Sequence, residues 1–496
     1  MSVVHRPKLS AAWALFIFTF LIYVLLLQHA TSSGPDGLLM AIQYSLIRHH
    51  TMALGNPSLI QVVTDQLLIA SDRGAQYYST SSYGLAILAL PIAALALPPG
   101  AHFNTLGPMS YADRLFIAFI SATFVAVLYK ELRSLGFGQR ESIFSSLALA
   151  FSTTLWPESE IFLYAPLSAL ALTLYIAETY KALLRKGSWL RATLSGVLLG
   201  VAAWSDYSII AAMIALALAL VILVIFARGF DRLSALITAV VPLDVAAALQ
   251  MATSYAAFGN PFFVPGLAKG GFAVGVPMLV HALYNLVSPY RGALIYDGVP
   301  VIALAYVVAR KHRPLLTTLL LIAFLAQLFE VSAWAYWDGG LSYGPRLLLP
   351  TVGPLFLVVP YLYRAARGST AAKAALILFT ALGLFINEVG AVALAIPPAA
   401  PGNWLGFATP WQVYQIYYDL KLIASGRIIN WIAMSFGFPN VPGTAAIMVI
   451  VTLLPAVAIY LYGPWSTAAL RRLLRAAAGR LSAQAGPAVQ GEESGL

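Results

Sequence analysis

The chain has 496 residues, 60% of them hydrophobic and 10% charged, with 29 Lys and Arg against 19 Asp and Glu and a net charge of +10. That balance excludes a soluble globular protein, and repeated apolar runs near the length of a bilayer crossing define a polytopic, all-α membrane bundle. The absence of cysteine excludes a disulfide framework, a thiolate site and zinc held by Cys/His clusters.

Twelve apolar spans are expected, near 12–29, 114–130, 141–156, 163–182, 191–205, 207–227, 233–256, 294–309, 314–332, 346–363, 373–396 and 443–463. The first is read as a retained span, because its end, His29-Ala30-Thr31, makes a poor leader cleavage site. Most of the basic residues fall in every second gap: Arg6/Lys8, Lys130/Arg133/Arg140, Lys181–Arg191, Arg228/Arg232, Arg310–Arg313, Arg364–Lys373 and Arg471–Arg480. Cytoplasmic loops collect Lys and Arg, so both termini are expected in the cytoplasm of a plasma-membrane protein. The positive charge orients the chain against anionic lipid, and nucleic acid is not an expected partner.

The apolar stretch 83–98 is left out of the ladder. If it crossed, every later basic loop would fall outside, and Pro91 and Pro98-Pro99 interrupt it. A helix lying in the interface or re-entering is expected instead, inside a long first external loop over 30–113. The expected division is a membrane domain over 1–463 and a basic cytoplasmic tail over 464–496 whose end is disordered.

The acids lie in the other gaps. Asp36, in Gly34-Pro-Asp-Gly37, is a candidate general base at the membrane surface, and equally a candidate N-cap for a helix over 37–48. Glu158 and Glu160 in Trp156-Pro-Glu-Ser-Glu160 are candidate second acids, to orient an acceptor or hold a cation, or else a solvated rim; their i,i+2 spacing separates them on a helix but puts them on one face of an extended strand. Few cations sit on this face. Arg291, in Ser288-Pro-Tyr-Arg291, and Arg346, in Tyr343-Gly-Pro-Arg346, are candidate ligands for a lipid phosphate, against the plainer reading of snorkelling side chains. Trp337, Asp338 and Tyr343 around the second arginine, with Asp72, Tyr77 and Tyr78 of the first loop, are candidate pocket residues. Asp244 falls inside the seventh span, where a buried carboxylate either serves function or bridges helices. No phosphate-binding loop, dinucleotide fingerprint or catalytic-triad pattern occurs.

Four stretches carry a resemblance: Gly74-Ala-Gln-Tyr-Tyr-Ser79 with Gly84-Leu-Ala-Ile-Leu-Ala-Leu-Pro91; Thr154-Leu-Trp-Pro157; Phe258-Gly-Asn-Pro-Phe262 with Ser288-Pro-Tyr-Arg-Gly292; and Trp337 through Arg346. The chain resembles the GT-C superfamily of membrane glycosyltransferases, of the protein O-mannosyltransferase (glycosyltransferase family 39) or the arabinofuranosyl and aminoarabinose transferase kind. The resemblance implies a polyprenyl- or dolichyl-phosphate sugar donor, an extracytoplasmic site under the first loop, and an early acid in that loop, matched by Asp36, as catalytic base. It implies inverting transfer to a hydroxyl of a glycan, lipid or protein acceptor. No organic cofactor is expected, and a divalent cation stays open.

Three departures bear on the substrate. Relatives often carry Asp-Lys-Ala-Pro where this chain has Thr80-Ser-Ser-Tyr83, a Glu where it has Ala165, and Arg-Pro where it has Asp206-Tyr207. The missing lysine shifts phosphate binding onto Arg291 and Arg346, and the missing Glu shifts the second acid onto Glu158 or Glu160. A secondary transporter or lipid flippase is the alternative reading, weakened by the absence of matching halves.

Overall fold

A computed structural model describes residues 10–28, 35–54, 68–70, 77–79, 81–104, 107–226, 231–264, 272, 274–339, 342–393, 415–426, 428, 430 and 442–466. Asp72, most of the basic tail and the end of the eleventh apolar segment lie outside the described residues.

The described residues are helical nearly throughout. In order it forms α1 (Ala11–Leu25), α2 (Pro35–His49), the antiparallel strands β1 (Leu68–Ala70) and β2 (Tyr77–Ser79), α3 (Gly84–Ala96), α4 (Pro108–Ser134), α5 (Gln139–Phe151), α6 (Leu155–Glu158), α7 (Ala165–Leu183), α8 (Trp189–Ser205) and α9 (Ile210–Phe226). Then follow α10 (Arg232–Phe258), α11 (Val276–Val287), α12 (Ala293–Tyr296), α13 (Gly298–Ala309), α14 (Pro314–Ala333), α15 (Leu349–Leu355), α16 (Val359–Ala365), α17 (Thr370–Ala393), α18 (Gln415–Ala424) and α19 (Pro442–Tyr462). Tight turns over Tyr207–Ile209 and Arg346–Leu348 lead into α9 and α15.

Each of the twelve expected apolar segments contains helix. Among the described residues, five helices are long and apolar enough to cross a bilayer: α4, α9 with its leading turn, α10, α14 and α17. The pair α15 and α16, bent by 61°, makes a sixth. Pro350, Pro354 and Pro360 place this bend, since proline withdraws the N–H that a straight helix would use. The apolar stretch after residue 83 forms the 13-residue α3 with Pro91 inside it. At about 1.5 Å per residue it falls well short of a 30 Å hydrocarbon layer. It packs on α4 and α2.

The core centres on α7, whose side chains are buried around most of its circumference. It packs on α4, α8 and α15. Glycine allows a close crossing between α8 and α10: a Cβ on Gly200 would meet the carbonyl oxygen of Pro242 and the Cβ of Val245, each at 2.7 Å. Tyr175 reaches across to donate to the Thr238 carbonyl at 3.0 Å. Asp244 lies on the opposite, exposed side of α10, so it bridges no helices among the described residues.

Ion pairs mark the basic end of the bundle. Lys181 joins Glu131 and Glu178, both at 2.8 Å, and Arg364 joins Glu141 at 2.8 Å. Two helices escape the reading of the sequence. In α11 the exposed face is apolar, with Val276, Leu279, Leu283 and Val287 outward and His281 and Asn285 inward, a pattern too short to register as a span. In α18, Asp419 and Gln415 are the buried residues, and a polar-inward pattern reads as a loop.

Gly200→Ala forces α8 away from the backbone of α10. Overpacking of this kind costs about 1–3 kcal/mol, and a lowered thermal unfolding midpoint in detergent, with unchanged helix content, is the expected measurement.

A candidate charged site at one end of the bundle

At the end opposite the ion pairs, α5 passes into the short helix α6, carrying Thr154-Leu-Trp-Pro157. Thr154 fixes this turn: its backbone N–H and hydroxyl donate to Asp297 Oδ1 at 2.7 and 3.1 Å. Trp156 packs edge-on against Phe151, ring centres 4.9 Å apart. The anchored turn places Glu158 and Glu160 in the interior, both fully buried, which removes the solvated-rim reading.

The two acids part company, as their spacing on a helical turn requires. Glu160 turns toward α1, where its Oε2 accepts from Gln28 Nε2 at 3.1 Å. Gln28 also donates to the Ala391 carbonyl, and its own carbonyl accepts from Arg114 Nη1 at 2.6 Å. Glu160 is thus tied into a brace between α1, α4 and α17. Among the described residues, neither carboxylate oxygen of Glu158 has a hydrogen-bond partner. Burial pushes Glu158 up to about 7, against the pull of Arg346 and Arg291 and with the push of Asp36 and Asp206. These five residues therefore share one electrostatic neighbourhood.

Arg346 arrives from the loop after α14. Its Nη2 donates to the Gly339 carbonyl at 3.0 Å, and its guanidinium carbon lies 5.8 Å from the centre of the Tyr164 ring. Gly339 has φ +74°, in the region where glycine is favoured. Arg346 is buried, and its Nε and Nη1 are not engaged by a close acceptor among the described residues. A guanidinium with unspent donors beside a carboxyl with unspent acceptors, in a low-dielectric interior, is suited to an anion carrying hydrogen-bond acceptors.

Arg291 serves the loop that delivers Arg346. Its Nη1 donates to the carbonyls of Ser342 and Gly344 at 2.5 and 2.9 Å and to Gln415 Oε1 at 3.0 Å, and the guanidinium lies 4.7 Å from the Tyr290 ring centre. Its charge reaches Glu158 while these donors hold the turn.

Asp36 lies in the first turn of α2. The helix starts at Pro35, so Asp36 is a helical residue and not the N-cap of a helix beginning at Gly37. It is 1% exposed and within electrostatic reach of Arg114 as well as Glu158. Asp206 ends α8; its Oδ1 accepts from the Ser208 N–H and hydroxyl at 3.0 and 2.7 Å, capping the next turn. Burial raises its pKa, partly offset by Ser208 and Arg346.

The remaining candidates line supports around the charges. Trp337 stacks on His281 at 4.7 Å and 12°, and Asp338 accepts from the Tyr290 hydroxyl at 3.1 Å. Tyr343 is a buried anchor, donating to the Ile386 carbonyl at 2.5 Å and packing edge-on to Tyr296 at 5.5 Å. Tyr78 on β2 packs on Phe258 at 5.0 Å, and the Tyr77 carbonyl accepts from Leu54 N–H at 2.7 Å. The sequence reading missed Tyr164 and Gln415 as members of the site. Nothing local marks them; only the approach of distant segments does. Asp206 carried a signal, an acid at the mouth of an apolar run. Among the described residues, no three His, Asp or Glu side chains come together as a metal site.

The chain shares its fold with ArnT from Cupriavidus metallidurans. The apo crystal structure matches at 17% identity and TM-score 0.51, over 90% of this chain and 76% of ArnT. The structure of ArnT bound to undecaprenyl phosphate matches at 15% identity and TM-score 0.50, over 92% and 77%. The Archaeoglobus fulgidus oligosaccharyltransferase tethered with an acceptor peptide matches at 11% identity and TM-score 0.46, over 77% of this chain, which spans 55% of that protein's length. No protein-family model matches the sequence, and no curated protein matches it. At these identities the likeness is one of fold, a helical bundle shared with ArnT.

Arg291→Met removes the donor from three buried acceptors, at about 1–3 kcal/mol for each group left unsatisfied. Limited proteolysis is expected to cut the 334–346 loop faster in this variant, and to spare it in Tyr290→Phe, which keeps the ring and the guanidinium.

Proposed function

We infer that the protein is a membrane glycosyltransferase. It moves a sugar from a polyprenyl- or dolichyl-phosphate donor to a hydroxyl of a glycan, lipid or protein acceptor. The observation that carries the reading is the buried Glu158 and Arg346 pair, charge-coupled yet not hydrogen-bonded to each other, with Asp36 and Asp206 in the same field. The likeness to a protein crystallised with undecaprenyl phosphate supports a lipid phosphate as the anion.

In this reading the donor phosphate takes the open donors of Arg346, with Arg291 adding positive potential from beneath. Asp36 accepts the proton of the acceptor hydroxyl as its oxygen attacks the anomeric carbon. The bond from that carbon to the phosphate oxygen breaks, its electron pair stays on the phosphate, and the anomeric centre inverts. A phosphate leaving group needs no proton to depart, so one ionised carboxylate suffices. Glu158, kept neutral by burial, donates a hydrogen bond to the departing phosphate, so the two carboxyls have opposite charge states for opposite tasks. Trp337, Asp338, Tyr77 and Tyr78 flank the acceptor side, and Tyr343 and Glu160 hold the frame.

The accompanying topology is twelve spans over 1–463, with the first loop, 30–113, and the charged site outside. Both termini, including the basic tail 464–496, lie in the cytoplasm of the plasma membrane. The ion-paired basic end supports it, since Lys and Arg favour the cytoplasmic face. No divalent cation is assigned, because Arg346 and neutral Glu158 already meet the charge that grows on the phosphate.

Transfer from labelled polyprenyl-phosphate sugars, with membrane extract as acceptor, tests the reading. Asp36→Asn is expected to lower turnover about 10²–10⁴-fold, the usual weight of a general base. Arg346→Met is expected to lower it about 10²–10³-fold, as for loss of one transition-state donor. Activity near wild type in folded Asp36→Asn rejects the assignment.

The pH profile separates the role of Glu158. Its carboxyl is raised to about 7, so it is protonated below that pH and ionised above it. Ionisation places a negative charge beside the leaving phosphate, so kcat/KM is expected to fall as pH rises through about 7. In Glu158→Gln, whose amide donates at every pH, that limb is expected to be flat; an unchanged limb assigns it to another group. Activity is expected to persist in EDTA.

A further inference from the structure

The basic end of the bundle holds a second feature, independent of the charged site. Helices α17 and α19 both pack on α5, and an apolar groove runs between them. It is lined by Ile377, Thr380, Ala381 and Leu384 of α17 and by Ala456, Ile459, Tyr460 and Trp465, with a cavity of about 340 Å³. Residues 373, 377, 380, 384 and 388 fall on one stripe of α17, spaced by three and four. Glu388 reaches Thr452 of α19 at one end of this stripe. At the other end stands Lys373, which is half-buried and makes no ion pair among the described residues. Arg140 lies at the same end, donating to the Leu461 carbonyl at 3.1 Å, and Arg367, whose Nη2 lies 3.6 Å from Glu141 Oε1, exposes 52% of its side chain there. Inside the groove the Thr380 hydroxyl is buried and has no hydrogen-bond partner among the described residues.

We propose that this groove is a binding site for one anionic diacyl phospholipid of the leaflet at the basic end. An acyl chain fills the groove, and the headgroup phosphate meets Lys373, with Arg140 and Arg367 nearby. The pairing of an apolar channel with a cationic mouth selects an amphiphile with an anionic head. A diacyl lipid is favoured over a polyprenyl phosphate because the groove opens at the end opposite Arg346. This inference rests on the fold and its charges, and stands whether or not the transferase reading holds.

Trp465 supplies the probe. Lipids brominated on their acyl chains are titrated into the full-length protein in bilayers, and the quenching that Trp465→Phe removes is recorded. Brominated phosphatidylglycerol is expected to quench at a mole fraction about fivefold lower than brominated phosphatidylcholine, the weight of one cation at an anionic headgroup. Lys373→Ala and Lys373→Gln, both at a half-exposed position, are expected to abolish that preference without changing thermal unfolding. Ala381→Phe, which fills the groove, is expected to remove quenching by both lipids. Equal quenching by the two lipids, or a preference that survives both lysine variants, overturns the proposal. Relief of phosphatidylglycerol quenching by equimolar undecaprenyl phosphate overturns the diacyl assignment in favour of a polyprenyl occupant.

Discussion

Ionisable groups are costly to bury inside a bundle of helices, and this chain places several of them at one end of its own. Glu158, Asp36, Asp206, Arg291 and Arg346 are all buried there. The arrangement persists because the charges offset one another through space, and because most of the remaining hydrogen-bonding capacity is met by backbone. Arg291 donates to carbonyls, and Asp206 uses its Oδ1 on a capped turn. Glu158 and Arg346 keep the most capacity unspent: both carboxylate oxygens of the first and two guanidinium nitrogens of the second have no hydrogen-bond partner among the described residues. In a low dielectric that residual capacity is worth far more than it would be at a surface, which is why the proposed ligand is an anion and why its place is here.

The supports around this end explain how these two residues are held. The Thr154 turn is fastened to Asp297 across more than a hundred residues of sequence. The arginine loop is fastened by Arg291 to a glutamine further still along the chain. Glu160 braces three helices through Gln28. The basic end is built differently. There, Lys181 and Arg364 find direct carboxylate partners within 2.8 Å, so those charges stabilise the fold and leave little for a ligand. Lys373 departs from that pattern, and the proposed lipid site begins from it.

Much of the helical order was legible in the residues. Every expected apolar segment contains helix, and the stretch 83–98, expected as a short helix, holds the 13 residues of α3. Helix α11 was missed because its apolar stripe faces outward in a short segment, and α18 because its polar residues face inward. Asp36 was identified as a site candidate, but its cap role was misread, since Pro35 already occupies a helical position. Arg346 and Arg291 read alike in sequence, each an arginine within three residues of a glycine and a tyrosine. Only the contacts distinguish a guanidinium with open donors from one that fastens a turn.

The sequence by itself determined that the chain is a membrane bundle, which end of it is basic, and which few charged residues stand apart from that pattern. These follow from hydrophobicity and charge counted along the chain, both local properties. The tertiary structure decided which of those residues meet. It turned Glu158 inward to the charges and Glu160 toward Gln28, and it drew Asp206, Tyr164 and Gln415 into a site that no spacing in the chain announces. Burial and long-range approach set their chemistry, and both exist only once the helices are packed.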